Sequence, residues 1–195
     1  MTELIHPDLE RAERAVVEFL RAFGLDPDTD ETLRATPRRV SSSFVELFAG
    51  LGADASAALS DAIPVGEQEP EFVTVRDLRF HSVCEHHLLP FNGICTIVYV
   101  PGERVVGVAR FSDALATLAA RPQVQERLGE QFAQTVADAL HARGVLIYIE
   151  AIHGCLSNRG PKQTSAKLAT ISTRGILSKS PAQAGALILA QGQPQ

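Results

Sequence analysis

The chain has 195 residues, of which 45% are hydrophobic and 21% charged, enough for one domain with a normal core and a small appendage. A net charge of −5, an aromatic content of 6% and the absence of Trp argue against a general nucleic-acid binder and a base-stacking platform, though not against a local basic pocket for a small anion. The first residues lack the basic start and apolar run of a signal peptide, no stretch approaches the roughly 18 apolar residues of a membrane span, and three cysteines make a disulfide framework improbable, so the expectation is a cytoplasmic protein with reduced thiols.

Residues 8–23 place Leu9, Ala12, Val16, Phe19, Leu20 and Phe23 on one helical face, and Gly24 stops it. A second helix is expected from Thr36 as cap, with Pro37 in its first turn, an apolar stripe of Val40, Phe44, Leu47 and Phe48, and Gly50 as its end. Residues 51–69 read as a partly helical connector. From Glu71 the period becomes two, predicting a strand over about 71–80 whose alternation fails near Asp77 and Leu78. Ile94–Val100 is a second strand, closed by Pro101-Gly102, with a short return over Val105–Arg110. Ser112 reads as the cap of a helix to Ala120, which Arg121-Pro122 breaks. A longer helix follows with Val124, Leu128, Phe132, Val136 and Leu140 on one side, closed by Gly144. Val145–Ile152 is the most apolar strand, Leu168–Ser172 the last, and the tail from Lys179 is expected to fray. The order predicts an α+β fold with an antiparallel sheet and helices on one face, divided into a helical region and connector (1–69), a catalytic domain (70–178) and a tail (179–195). There is no internal repeat, GxGxxG or Walker loop.

Two segments concentrate the chemistry: Cys84-Glu85-His86-His87 and His153-Gly154-Cys155, with two thiols and three imidazoles between them. Cys84 and His87 have the spacing of half a zinc site, and Cys155, after the apolar strand, supplies a third ligand. Three protein ligands leave a position for water, the mark of a catalytic zinc, and His86 and His153 remain for proton transfer. The plainer alternative is two buried thiols and ordinary loop histidines. Cys95, inside a strand at an apolar position, reads as a buried structural thiol.

C-E-H-H-L-L-P-F at 84–91, V-Y-V-P at 98–101, R-P-Q-V-Q-E-R-L at 121–128, and E-A-x-H-x-C at 150–155 followed by R-G resemble GTP cyclohydrolase I. The match runs in order from Thr36-Pro37 to Gly175 and includes V-T-V-R-D before the first cysteine. The resemblance implies the tunnelling fold, or T-fold: a four-stranded antiparallel sheet with two long helices on one side, closing into rings by sheet-edge pairing, typically two pentamers with sites between subunits. It implies Zn2+ on Cys84, His87 and Cys155, acid–base roles for His86 and His153, guanine recognition by Glu126, substrate binding by Gln125, and phosphate contacts from Arg159 and Arg110. The implied reaction is hydrolysis at C8 of the guanine imidazole ring, with loss of formate and formation of 7,8-dihydroneopterin triphosphate from GTP.

Departures cluster at the phosphate end. Where the family usually reads L-G-L-S-K-x-x-R, this chain has Val106-Gly107-Val108-Ala109-Arg110-Phe111-Ser112-Asp113: a serine becomes Ala109, a lysine Arg110, and an arginine Asp113. An early lysine becomes Ser42, and the usual S-x-T-x-T run becomes Ala166-Lys167-Leu168-Ala169-Thr170. Arg38, Arg39, Lys162 and Lys167 are candidate compensating charges. The alternatives are therefore the standard enzyme, a relative hydrolysing a guanine compound with fewer phosphates, and a non-catalytic purine-binding ring protein.

Overall fold

In the computed structural model, residues 6–66, 71–179, 183, 186 and 187 are described. The chain forms two compact units, Met1–Ala53 and Asp54–Gln195. In the first, α1 (Leu9–Ala22) starts at Asp8, whose carboxylate accepts the Arg11 N–H at 2.9 Å, and is followed by Gly24 at φ +79°. α2 (Thr36–Leu47) carries Pro37 in its first turn as expected. Thr36 is not its cap, however: the preceding turn runs straight into the helix, with Thr36 N–H on the Leu33 carbonyl at 2.8 Å. Gly52, rather than Gly50, takes the left-handed conformation beyond its end.

The second unit opens with Asp54 capping a short turn of 3₁₀ helix, Ala55–Leu59. Then come β1 (Ile63–Pro64), β2 (Val73–Cys84), β3 (Pro90–Val100), β4 (Arg104–Val105), α3 (Ala109–Ala119), β5 (Pro122–Gln123), α4 (Gln125–Leu140), β6 (Gly144–His153), α5 (Gly154–Ser157) and β7 (Leu168–Gly175). β1 pairs with β4 in a separate two-stranded sheet. The main sheet has the order β5-β2-β3-β6-β7. Its four long strands are antiparallel, and β5 adds two residues parallel to the end of β2, so the sheet is mixed rather than purely four-stranded antiparallel.

α3 and α4 cover one face. Phe111, Leu115 and Leu118 of α3 and Leu128, Phe132, Val136 and Leu140 of α4 pack on Phe80, Phe91, Cys95, Ile97, Ile147 and Ile149 of the sheet. Burying each large apolar side chain contributes about 1.5–3 kcal/mol. Among the described residues this is the T-fold arrangement, an antiparallel sheet backed by two long helices. On the other face Val98, Val100, Leu146 and Leu177 surround buried Ala186; most of the tail expected to fray lies outside the described residues.

Several boundaries differ from the sequence expectation for local reasons. β2 does not stop near residue 80. The failed alternation is a bulge between Val75 and Leu78, with Asp77 at φ +59°, after which the strand runs on to Cys84. β3 begins at Pro90 and β7 reaches Gly175. α3 begins one turn before Ser112, because the buried stripe starts at Phe111, so residues 108–110 are not a returning strand. α4 is ended by His141 at φ +48°, and Gly144 opens β6 instead.

Gly93 marks the closest approach of β3 to β6: a Cβ there would lie 2.1 Å from the Glu150 carbonyl oxygen. Gly93→Ala is therefore expected to destabilise the protein by roughly 3 kcal/mol, the upper end for overpacking, read from the urea midpoint.

Candidate metal centre and its surroundings

The strand directions bring the two chemical segments together. β2 and β6 both run antiparallel to β3, so they run parallel to each other and end on the same side of the sheet. Cys84 is the last residue of β2, and His153 is the last of β6. Register confirms their level, with Val83 opposite Pro90 and Phe91 opposite His153. Between β2 and β3 the loop is tight: Cys84 N–H binds the Leu89 carbonyl at 2.9 Å, Leu88 N–H returns to the Cys84 carbonyl at 2.8 Å, and Leu88 adopts φ +51°. That turn folds His87 back toward Cys84, with Nδ1 3.7 Å from Sγ. After β6, Gly154 is needed for close approach, since a Cβ there would sit 2.7 Å from the Pro90 carbonyl oxygen. Cys155 thereby reaches the same point.

The donor atoms of Cys84, His87 and Cys155 lie within 4.8 Å of one another. Burial and the neighbouring Cys84 push the Cys155 thiol up, against a smaller pull from Arg159. Two thiols and one imidazole so close form a donor set that fits a metal ion of the zinc type, and three ligands leave an open position. Cys95, by contrast, is fully buried, and burial pushes its thiol up.

His153 is half-buried. Its ring stacks on Phe91 with centroids 4.5 Å apart and planes 6° from parallel, and Nε2 lies 2.9 Å from Gln125 Oε1. Burial holds its imidazole below the ordinary range, opposed by the charge of Glu126. His86 is exposed on the loop, with Glu85 3.6 Å from its Nε2. Glu85 in turn is paired with Arg127, which also binds Gln123 Oε1 at 2.9 Å. Arg127 holds the Glu85 carboxyl below the usual carboxylate range. β5, pairing with Val83 and Cys84, sets the first turn of α4 beside this loop. Glu126, in that turn, is exposed and forms no hydrogen bond or ion pair within the described residues.

Six expected residues thus gather at one end of the sheet: Cys84, His86, His87, Glu126, His153 and Cys155. Gln125 is there too, but fully buried. Arg159 is exposed and near enough to act on Cys155. Arg110 is not there. It lies at the start of α3, whose far end meets β2 through Ser82 Oγ on the Ala119 carbonyl at 2.7 Å. Nine residue steps of helix place Arg110 roughly 14 Å from that contact. Its guanidinium pairs with Asp61 at 2.7 Å and Asp113 at 3.5 Å. Lys167 pairs with Glu150 at 2.7 Å. The Glu85–Arg127 pair and the Phe91 stack were not anticipated. The legible signal was Gln125 itself, a polar residue three before Leu128 on the apolar stripe of α4.

Fold and site define a protein of the T-fold class whose Cys84, His87 and Cys155 form a group that could hold a metal ion, with His153 at the end of the neighbouring strand. Residues 12–189 match the family GTP cyclohydrolase I. The GTP cyclohydrolase 1 of Leifsonia xyli subsp. xyli is 47% identical over 182 residues, covering 93% of this chain and 95% of the relative. That of Streptococcus agalactiae serotype Ia is 40% identical over 171 residues, covering 87% and 90%. Among solved structures, the archaeosine synthase QueF-Like in its apo form superposes with a TM-score of 0.47 at 16% identity, over 55% of this chain and 97% of that one. The chain belongs to the GTP cyclohydrolase I family.

Proposed function

We propose that this chain hydrolyses the imidazole ring of GTP to give 7,8-dihydroneopterin triphosphate and formate, using zinc held by Cys84, His87 and Cys155. The observation that carries this reading is the meeting of that donor triad with His86, His153 and Glu126 at one end of the sheet. Bound zinc lowers the pKa of water far enough to supply hydroxide near neutral pH. Glu126, without a hydrogen bond among the described residues, offers one carboxylate to two parallel N–H groups of guanine, the ring N–H and the exocyclic amine. His153, held neutral by burial, and the exposed His86 take and return protons as C–N bonds of the ring break. Arg159 supplies positive charge beside the site for the phosphates. These thiol ligands suit a reducing compartment, and we assign the protein to the cytoplasm.

The assembly we propose is a ring of this chain, a pair of pentamers. The outer edge of β7 and the outer edge of β2 before Val83 have no strand partner among the described residues, and Leu168 and Ile171 on β7 are exposed. Edge-to-edge pairing satisfies such strands. It also gives Arg110 a role, since a residue so far from its own metal centre reaches one only on a neighbouring copy.

A guanine compound with fewer phosphates is a second reading, favoured by the pairing of Arg110 with both Asp61 and Asp113. One assay separates the two: formate and fluorescent pterin release by zinc-loaded protein from GTP, GMP and guanosine. GTP is expected to give the highest kcat/KM. Formate from guanosine or GMP alone supports the second reading, and formate from none overturns both. The double variant Asp61→Asn/Asp113→Asn, by removing both acidic partners of Arg110, is expected to lower KM for GTP several-fold and leave that for guanosine unchanged.

A further inference from the structure

We propose that Gln125 is a positioning residue that fixes His153 in the tautomer carrying hydrogen on Nε2, so that Nδ1 is left as the acceptor nitrogen of the ring. This rests on the role for His153 given above, but the geometry stands apart from the identity of the substrate. Gln125 is fully buried at the start of α4. Its amide nitrogen, with two hydrogens, lies within donating distance of three acceptors: the Ile149 carbonyl at 3.1 Å, the Leu168 carbonyl at 3.0 Å and Thr170 Oγ1 at 3.0 Å. The two main-chain carbonyls are acceptors only, so the amide has one orientation; a flipped amide would set its oxygen against both of them.

The oxygen therefore faces His153, and the group it meets at 2.9 Å must be an N–H. Neutral imidazole carries one hydrogen, which Gln125 thus places on Nε2. The Phe91 stack fixes the ring plane, and the carbonyls of β6 and β7 fix the amide. Nδ1 has no hydrogen-bond partner among the described residues, which leaves it the available base. A direct substrate contact by Gln125 is disfavoured by the same facts: its amide is committed on both sides and none of its surface is exposed.

The decisive measurement is 15N NMR of histidine-labelled, zinc-loaded, fully assembled protein, with the His153 signals assigned by their loss in His153→Ala. A pyrrole-type Nε2 and a pyridine-type Nδ1 are expected. The reverse pattern overturns the proposal. In Gln125→Met a mixture of tautomers is expected, with kcat on GTP lowered roughly 10–100-fold, part of the 10²–10⁴ that a positioned acid–base group contributes, and KM within about twofold. In the His153→Ala background Gln125→Met is expected to cost nothing further. A raised KM with unchanged kcat, or additive losses, would mark Gln125 as a substrate contact or a mere packing residue and overturn the proposal. If Gln125→Met fails to assemble, the wild-type spectrum still decides. It also decides if GTP proves not to be the substrate, because the spectrum requires no turnover.

Discussion

Cys155→Ala is expected to remove the metal and nearly all turnover while leaving the chain folded. The thiol is one of three donors within 4.8 Å, and two donors do not make a strong site. Metal content should fall below about a tenth of the wild-type value, since losing a direct ligand should cost more affinity than the roughly 10–100-fold that removal of an outer-shell partner causes. Without metal, nothing lowers the pKa of the attacking water toward neutrality, so formate release should drop by about 10³-fold or more. The fold should survive. Cys155 lies outside the long strands and is only partly buried, whereas the core rests on Phe80, Phe91, Phe111, Phe132 and the aliphatic residues around them. Elemental analysis, formate release and a thermal melt on one preparation test all three parts. Full metal occupancy would remove Cys155 from the ligand set, and collapse of the fold would make the metal structural.

Much of this site was legible because its chemistry is local in sequence. Cys84, His86 and His87 share one loop, and His153 and Cys155 share one strand end, so spacing alone named them. What joins the two segments is the direction of β2 and β6, which follows from the antiparallel order and needed only the right number of strands. The boundaries were harder where a local irregularity imitates an end. Asp77 at φ +59° interrupts the alternation of β2 as a turn would, and only the buried Phe80 and Ser82 beyond it show that the strand continues. His141 ends α4 in a left-handed conformation that a sequence reader gives to glycine.

Side-chain partnerships were less accessible. Arg127 and Glu85 are 42 residues apart, and nothing in either neighbourhood names the other. Arg110 keeps the positive charge expected at its position, but its pairing with Asp61 depends on how the short 3₁₀ turn at Ala55–Leu59 packs near α3. Gln125 lies between these cases. A glutamine on an apolar stripe must find partners when buried, and that requirement was readable; which partners it finds was not.

Glu126 offers the sharpest test of what the site recognises. Its carboxylate stands in the first turn of α4, next to the buried Gln125 and with no hydrogen bond or ion pair among the described residues, so removing it disturbs little beyond its charge on His153. The helix N-terminus stabilises a negative charge there by only about 0.3–1 kcal/mol, which bounds the cost to the fold. Two charge-assisted hydrogen bonds to guanine are worth roughly 1.5–3 kcal/mol each, so Glu126→Ala is expected to lower kcat/KM for GTP by roughly 10²–10⁴-fold with metal content unchanged. Glu126→Gln should fare little better, because its amide presents a donor to one of the two N–H groups. The base itself supplies the control. ITP lacks the exocyclic amine and can make only one of the two bonds, so the wild-type protein should discriminate against it, while Glu126→Ala should treat GTP and ITP nearly alike. If the variant instead kept the wild-type ratio of kcat/KM for the two nucleotides, recognition of the base would lie elsewhere. The exposed carboxylate would then be an ordinary helix-start charge, and the guanine would have to be read by main-chain groups around the end of β6.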